Sequence, residues 1–301
     1  MSGNGRLLLL CPGQGGQHAA MFDLARSHPA GAALLDSLPL PHGDDLYANR
    51  HAQPLIVAAT LAMWEALREQ APAPAMVAGY SIGELAAYGV AGAYSPATCM
   101  ALATARADMM DQAAQAEPDQ TLLAISGMAL ARVLPLLPAH AYELAIETGE
   151  DSCIAGGPAS QRAALEQTVL LHGGRSTHLP VAVASHTRYM QTAVAPFAAL
   201  LQQTPFGMMQ APVLAGISAI SVRDQASAND LLARQLATPI RWAACMDAAA
   251  EAGIRYALEL GPGAALSRML QQRPPHISTR SVADFRTIDG ILRWLERCSE
   301  E

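Results

Sequence analysis

Ser81 stands between two glycines in Gly79-Tyr80-Ser81-Ile82-Gly83, where the apolar Met76-Val77-Ala78 gives way to the helix-forming Glu84-Leu85-Ala86-Ala87. A strand, a sharp turn carrying a serine, and then a helix is the order that presents a nucleophilic Oγ at the end of a sheet, with glycines where a side chain would strike the neighbouring strand or helix. The same residues admit a structural role, with Ser81 as a helix N-cap and Glu84, three residues on, completing a capping box. A serine hydroxyl is a weak nucleophile at neutral pH. It needs a base within hydrogen-bond reach, a group that orients the base, and donors aimed at the developing oxyanion.

Two of the nine histidines suit the base. His186 ends the strand-like run Leu-Pro-Val-Ala-Val-Ala-Ser-His and opens a helical stretch, Thr187 to Gln202, which puts it at the carboxyl end of a strand, where sites form in α/β folds. His276, in Arg-Pro-Pro-His-Ile-Ser, suits instead the order serine, acid, late histidine. A second Gly-rich turn, Cys11-Pro12-Gly13-Gln14-Gly15-Gly16-Gln17-His18, lacks the last glycine of a dinucleotide fingerprint. Such a turn can expose backbone N–H groups as an anion nest. Gly261-Pro262-Gly263 reads as a strand-to-helix turn.

Composition narrows the chemistry further. The chain has 301 residues, 51% of them hydrophobic, enough for a sizeable core. Its five cysteines are scattered without a C-x-x-C pair, so neither a disulfide framework nor a zinc knuckle is expected and a reducing, cytoplasmic setting is. The amino-terminal apolar run breaks at Pro12-Gly13, too short for a signal peptide or a membrane span. Net charge is −7, and all 19 basic residues are arginine. The absence of lysine excludes a P-loop lysine and Schiff-base chemistry, and the acidic balance argues against nucleic acid as a partner.

Short apolar runs (Leu7 to Cys11, Met76 to Gly79, Leu122 to Ile125, Tyr142 to Ile146, Ser152 to Ala155, Val213 to Ile217 and Tyr256 to Leu260) alternate with helix-period segments. The helices are expected at Pro54 to Glu69, Pro96 to Gln115, Ala159 to Leu171, Thr187 to Gln202 and Trp242 to Ala252. This alternation predicts an α/β fold with a largely parallel sheet. From about Gln120 to Pro180 the pattern tightens to strand, helix, strand, strand, helix, strand, which predicts a small βαββαβ domain inserted in the larger one.

Pro-Gly-Gln-Gly-Gly-Gln (12–17), Gly-Tyr-Ser-Ile-Gly-Glu (79–84), the arginine of Leu-Ala-Thr-Ala-Arg (102–106), Val-Ala-Ser-His (183–186), Gln-Leu-Ala-Thr-Pro (235–239) and Glu-Leu-Gly-Pro-Gly (259–263) occur in one order and spacing. Together they resemble the malonyl-CoA:acyl carrier protein transacylase family over nearly the whole chain. The resemblance implies an α/β-hydrolase-like large domain, residues 1–119 and 187–301, with a small ferredoxin-like domain at 120–186. It implies Ser81 as the acylated nucleophile, His186 as its base, the backbone carbonyl of Gln235 as the group orienting the histidine, and the backbone N–H groups of Gln14 and Ile82 as the oxyanion hole. Arg106 takes the position that holds the free carboxylate of the malonyl group, a task suited to a planar guanidinium that does not lose its charge. No metal and no bound cofactor are implied. Malonyl-CoA is the substrate and an acyl carrier protein the partner, with no role for a membrane.

Two residues depart from the common family pattern: Tyr80 precedes the nucleophile where histidine is usual, and Ala184 stands where proline is common. Gly-Tyr-Ser is similar to the elbow of the epsilon subunit of biotin-independent malonate decarboxylase, whose acceptor is a carrier subunit with a phosphoribosyl-dephospho-CoA arm. The alternatives are a transacylase of fatty-acid or polyketide synthesis, a serine esterase or thioesterase using His276, and a non-catalytic docking subunit.

Overall fold

Leu7, Leu8, Leu9 and Leu10 have no exposed surface in the computed structural model, which describes residues 6–41, 45–116, 119–273 and 277–300. An unbroken apolar run is what a parallel strand covered on both faces requires. In chain order, β1 (Arg6–Cys11) is followed by α1 (Asp23–Arg26), α2 (Pro29–Ser37), α3 (Asn49–Leu67), β2 (Met76–Gly79), α4 (Ile82–Val90) and α5 (Pro96–Ala116). Then come β3 (Gln120–Ser126), α6 (Leu130–Val133), β4 (Glu143–Glu147), β5 (Ser152–Pro158), α7 (Arg162–Leu171) and β6 (Arg175–Leu179). The chain continues through α8 (Gln191–Gln203), β7 (Val213–Leu214), β8 (Ser221–Val222), α9 (Gln225–Arg234), β9 (Ile240–Arg241), α10 (Trp242–Glu251), β10 (Ile254–Glu259), α11 (Ala265–Gln271), β11 (Ser278–Ser281) and α12 (Ile288–Glu300).

The larger sheet has the order β11-β10-β1-β2-β7-β8, parallel except for the antiparallel β7–β8 pair at one edge. Central β1 and β2 end side by side, with Cys11 opposite Gly79, so the Gly-rich turn and the serine turn emerge at the same sheet end. The second sheet has the order β6-β3-β5-β4-β9. Its first four strands are mutually antiparallel in the ferredoxin-like order, and Leu123, Ile125, Val133, Leu165 and Val169 form a separate small core there. The fold is therefore α/β, with a large, mostly parallel sheet and a small ferredoxin-like unit.

The fifth strand of the smaller sheet is not in the sequence reading. β9 pairs parallel to β4, Ile146 opposite Ile240, and so ties the segment after α9 to the small unit. Too short to show periodicity, it is an element only because β4 offers it an edge. Three other differences have local causes. The first long helix begins at Asn49 rather than Pro54, with the proline inside it; a proline that early removes one hydrogen bond without ending the helix. The expected strand ending at His186 is absent: β6 stops at Leu179, before Pro180, and the backbone N–H of Ala184 goes to the Gln120 side chain instead of a ladder. The helix after it starts with a single 3-10 turn and is α-helical from Gln191. Among the described residues no helix is long and apolar enough to cross a membrane.

Candidate active site

The turn at Ser81 forms because two glycines let three backbones close. A Cβ on Gly79 would lie 2.2 Å from the carbonyl of Gly83, and one on Gly83 would lie 2.1 Å from the carbonyl oxygen of Cys11. Strand β2, helix α4 and the end of β1 thus meet at a distance that only glycine permits. Ser81 itself takes φ 56° and ψ −119°, a conformation that costs a non-glycine residue free energy and persists at functional turns because the surroundings enforce it. Its hydroxyl makes no helix cap. It lies 2.8 Å from Nε2 of His186.

His186 is fully buried and is also held at positive φ, 65°. Its backbone N–H donates to the carbonyl of Leu236 at 2.8 Å, and its Nδ1 is 2.6 Å from the carbonyl oxygen of Gln235. A carbonyl only accepts, so Nδ1 carries the proton and Nε2 presents its lone pair to Ser81. Burial, then the positive charge of Arg106, push the imidazole pKa down to about 3, against which the Gln235 carbonyl pulls it up. A depressed pKa keeps the ring neutral, and competent to accept a proton, as pH falls. Acylation of Ser81 is therefore expected to persist below pH 6.5, with its acid limb displaced well below that of an ordinary histidine. The pH profile of Ser81 labelling by an acylating serine reagent measures this, and an acid limb at 6.5 would contradict it.

The Gly-rich turn after β1 packs against the Gly261-Pro262-Gly263 turn after β10. A Cβ on Gly16 would lie 2.3 Å from the Pro262 carbonyl oxygen, and Gly263 adopts φ +85°. The first turn also rests on the elbow, since a Cβ on Gly13 would lie 2.7 Å from the Tyr80 carbonyl oxygen and 3.0 Å from its ring. Neither the Gln14 nor the Ile82 backbone N–H finds an acceptor among the described residues. Tyr80 directs its ring to Trp242, edge to face with centroids 5.2 Å apart, and so fills the space between the elbow, the Gly-rich turn and α10.

Arg106, on α5, is 1% exposed. Its Nη1 donates to Gln53 Oε1 at 2.6 Å and its Nη2 to Gln235 Oε1 at 3.3 Å, whereas its Nε is buried without a partner. Burial draws its pKa down to about 10, with Glu84 opposing, so the guanidinium stays charged at neutral pH. Gln235 therefore touches both groups, the His186 imidazole through its backbone and the Arg106 guanidinium through its side chain. A buried cation with an unpaired N–H beside a serine–histidine pair is arranged to receive an anionic group on an acyl chain.

Sequence reasoning misjudged Glu84 and did not reach Gln53, Asn49 or Asp111. Glu84 caps nothing: its carboxylate is buried and accepts from the Gly216 N–H at 2.9 Å and from the Gln235 side-chain amide. A single carboxylate among Ile82, Leu85, Ala86 and Ala87 was the available signal, because an isolated acid on a wholly buried helix needs partners. His276 lies outside the described residues. Among those residues no group of three or more His, Cys, Asp or Glu could hold a metal ion.

The acyl transferase domain family matches the chain over residues 8–285. The malonyl CoA-acyl carrier protein transacylase of Mycolicibacterium smegmatis is 31% identical over 248 residues, which cover 79% of this chain and 84% of that protein. The malonyl CoA-acyl carrier protein transacylase of Escherichia coli K12 is 28% identical over 285 residues, covering 87% of this chain and 90% of its own. The crystal structure of FabD from Acinetobacter baumannii superposes with a TM-score of 0.89 at 25% identity, covering 98% of this chain and 99% of that one.

Proposed function

The chain belongs to the acyl transferase domain family, and from that premise we propose that it moves a malonyl group from malonyl-CoA, through an ester on Ser81, to the thiol of an acyl carrier protein. The observation that carries this reading is Gln235, which joins a serine–histidine pair to a buried guanidinium. Ser81 Oγ attacks the thioester carbon as its proton passes to His186 Nε2, and the oxyanion is received by the N–H groups of Gln14 and Ile82. Collapse breaks the carbon–sulfur bond, and CoA leaves with the proton from His186. In the second half-reaction His186 takes the proton of the carrier thiol, the sulfur attacks the ester, and Ser81 recovers the proton on leaving.

Arg106 selects the acyl group. A malonyl carboxylate pairs with the buried cation and its free Nε, whereas an acetyl group leaves Nε without an acceptor and the charge with only neutral amide partners. Arg106→Ala is expected to lower kcat/KM for malonyl-CoA by about 10- to 100-fold relative to acetyl-CoA, the worth of a charge-assisted hydrogen bond. Steady-state rates with the two thioesters measure it, and an unchanged ratio would remove Arg106 from the acyl site.

Within this activity we read the chain as the malonyl loader of a malonate decarboxylase, a reading supported by Tyr80 in the elbow. The test pairs malonyl-CoA with two acceptors, a carrier bearing phosphopantetheine and one bearing the longer phosphoribosyl-dephospho-CoA arm. Faster transfer to the longer arm is expected. Faster transfer to phosphopantetheine would assign the protein to fatty-acid or polyketide synthesis, and release of free malonate without an acceptor would mark a thioesterase.

A further inference from the structure

Both acceptors that hold Arg106 are neutral amides, and each amide is itself fixed from behind. On one side, Gln235 offers its Oε1 to Nη2 while its Nε2 donates to Glu84 Oε2, which also accepts from the Gly216 N–H. On the other, Gln53 offers its Oε1 to Nη1 while its Nε2 donates to Asn49 Oδ1 at 2.7 Å, and Asn49 Nδ2 donates to Asp111 Oδ1 at 2.8 Å. The orientation of the Gln235 amide follows from the chemistry of its neighbours. A guanidinium only donates and an ionised carboxylate only accepts, so the amide oxygen must face Arg106 and the nitrogen must face Glu84. No Asp or Glu lies within 4 Å of Arg106 among the described residues, so no carboxylate pairs directly with the guanidinium, and the Glu84 charge reaches it only from behind the Gln235 amide.

We propose that Glu84 is a positioning residue for acyl-group selection: by fixing the Gln235 side chain, it holds the Arg106 guanidinium where a substrate carboxylate can pair with it. This inference rests on the malonyl-transfer reading. The Glu84 side chain makes no hydrogen bond to Ser81, whose carbonyl accepts only from the Glu84 backbone N–H at 3.0 Å, and it acts on Arg106 through an amide that without it is free to turn its N–H groups toward the cation. A turned amide presents donor to donor and repels the guanidinium from its place. Gln235 is suited to this because its backbone is anchored independently, as the residue ending α9, with its N–H bonded to the Leu231 carbonyl. Burial lifts the Glu84 carboxyl to about 7, opposed by the bonds from Gly216 and Gln235 and by Arg106, and in either protonation state it retains an oxygen that accepts from the amide.

Three variants test the inference. Glu84→Met removes the acceptor at similar length, Glu84→Gln retains one, and Gln235→Met removes the amide while leaving the backbone carbonyl under His186. The malonyl-over-acetyl ratio of kcat/KM is expected to fall about tenfold in Glu84→Met and in Gln235→Met, the loss of one charge-assisted contact, and the double variant to fall no further. Glu84→Gln is expected to keep most of the ratio. A residue needed only for packing would lower the malonyl and acetyl rates by the same factor, so an unchanged ratio in Glu84→Met overturns the proposal. Should that variant fail to fold, an unchanged ratio in Gln235→Met overturns it equally. A parent enzyme with no preference for malonyl would instead sink the functional reading on which the inference stands.

Discussion

Ser81→Ala is expected to abolish the covalent malonyl adduct and to lower transfer by at least about 10³-fold, since removing the nucleophile of a coupled serine–histidine pair costs nearly as much as removing the pair. The reason lies in the turn. Gly79 and Gly83 allow β1, β2 and α4 to close on one another, and the φ of 56° at Ser81 directs Oγ to within 2.8 Å of His186 Nε2. Among the described residues no other side-chain hydroxyl hydrogen-bonds that nitrogen, so the alanine variant has no second hydroxyl there to carry the acyl group. Intact-protein mass spectrometry after incubation with malonyl-CoA alone, followed by peptide mapping, measures the outcome. An adduct that survives in the alanine variant, or that maps elsewhere, would refute the assignment.

His186→Ala is expected to slow both half-reactions by about 10³-fold or more, because in the proposed mechanism one imidazole serves as base in each attack and as acid in each collapse. Nδ1–H is committed to the Gln235 carbonyl at 2.6 Å, which leaves Nε2 as the only ring nitrogen free to exchange a proton with Ser81. A backbone carbonyl in this place orients the ring without adding a negative charge. Burial first, then the nearby Arg106, keeps the ring neutral and able to accept a proton, and among the described residues no carboxylate hydrogen-bonds the imidazole. Rapid-quench measurement of the acylation and transfer steps separates the two effects. The matching His276→Ala variant is expected to retain the parent rate; a collapse there, with His186→Ala active, would transfer the base to His276 and favour the esterase reading.

Gly79-Tyr80-Ser81-Ile82-Gly83 was legible in the sequence as a reactive turn because its requirements are local, set by glycine sterics and a strand-to-helix boundary. The alternation of apolar runs with helix-period segments gave the α/β class and the small βαββαβ unit for the same reason, since periodicity reports which faces are covered. The short and irregular pieces were not legible. β9 exists only against the edge of β4, and Val181 to His186 is an irregular segment whose backbone is held by Gln120 and Leu236 rather than by a ladder. Both bring distant parts of the chain to the site, and neither has a period of its own.

By itself, the sequence determined which residues were chemically equipped: a serine at an elbow, two candidate histidines, arginine as the only permanent cation, and no lysine. Resemblance then assigned those residues roles. Only the tertiary structure decided that Ser81 faces His186 rather than its own helix, that Gln235 joins the His186 imidazole to Arg106, and that Glu84 supports Gln235 instead of capping α4. The physical reason is separation along the chain. Hydrogen bonds spanning 105, 129 and 151 residues leave no imprint on local pattern, because what selects a partner is the desolvation of polar groups that come together only when the sheets and helices pack.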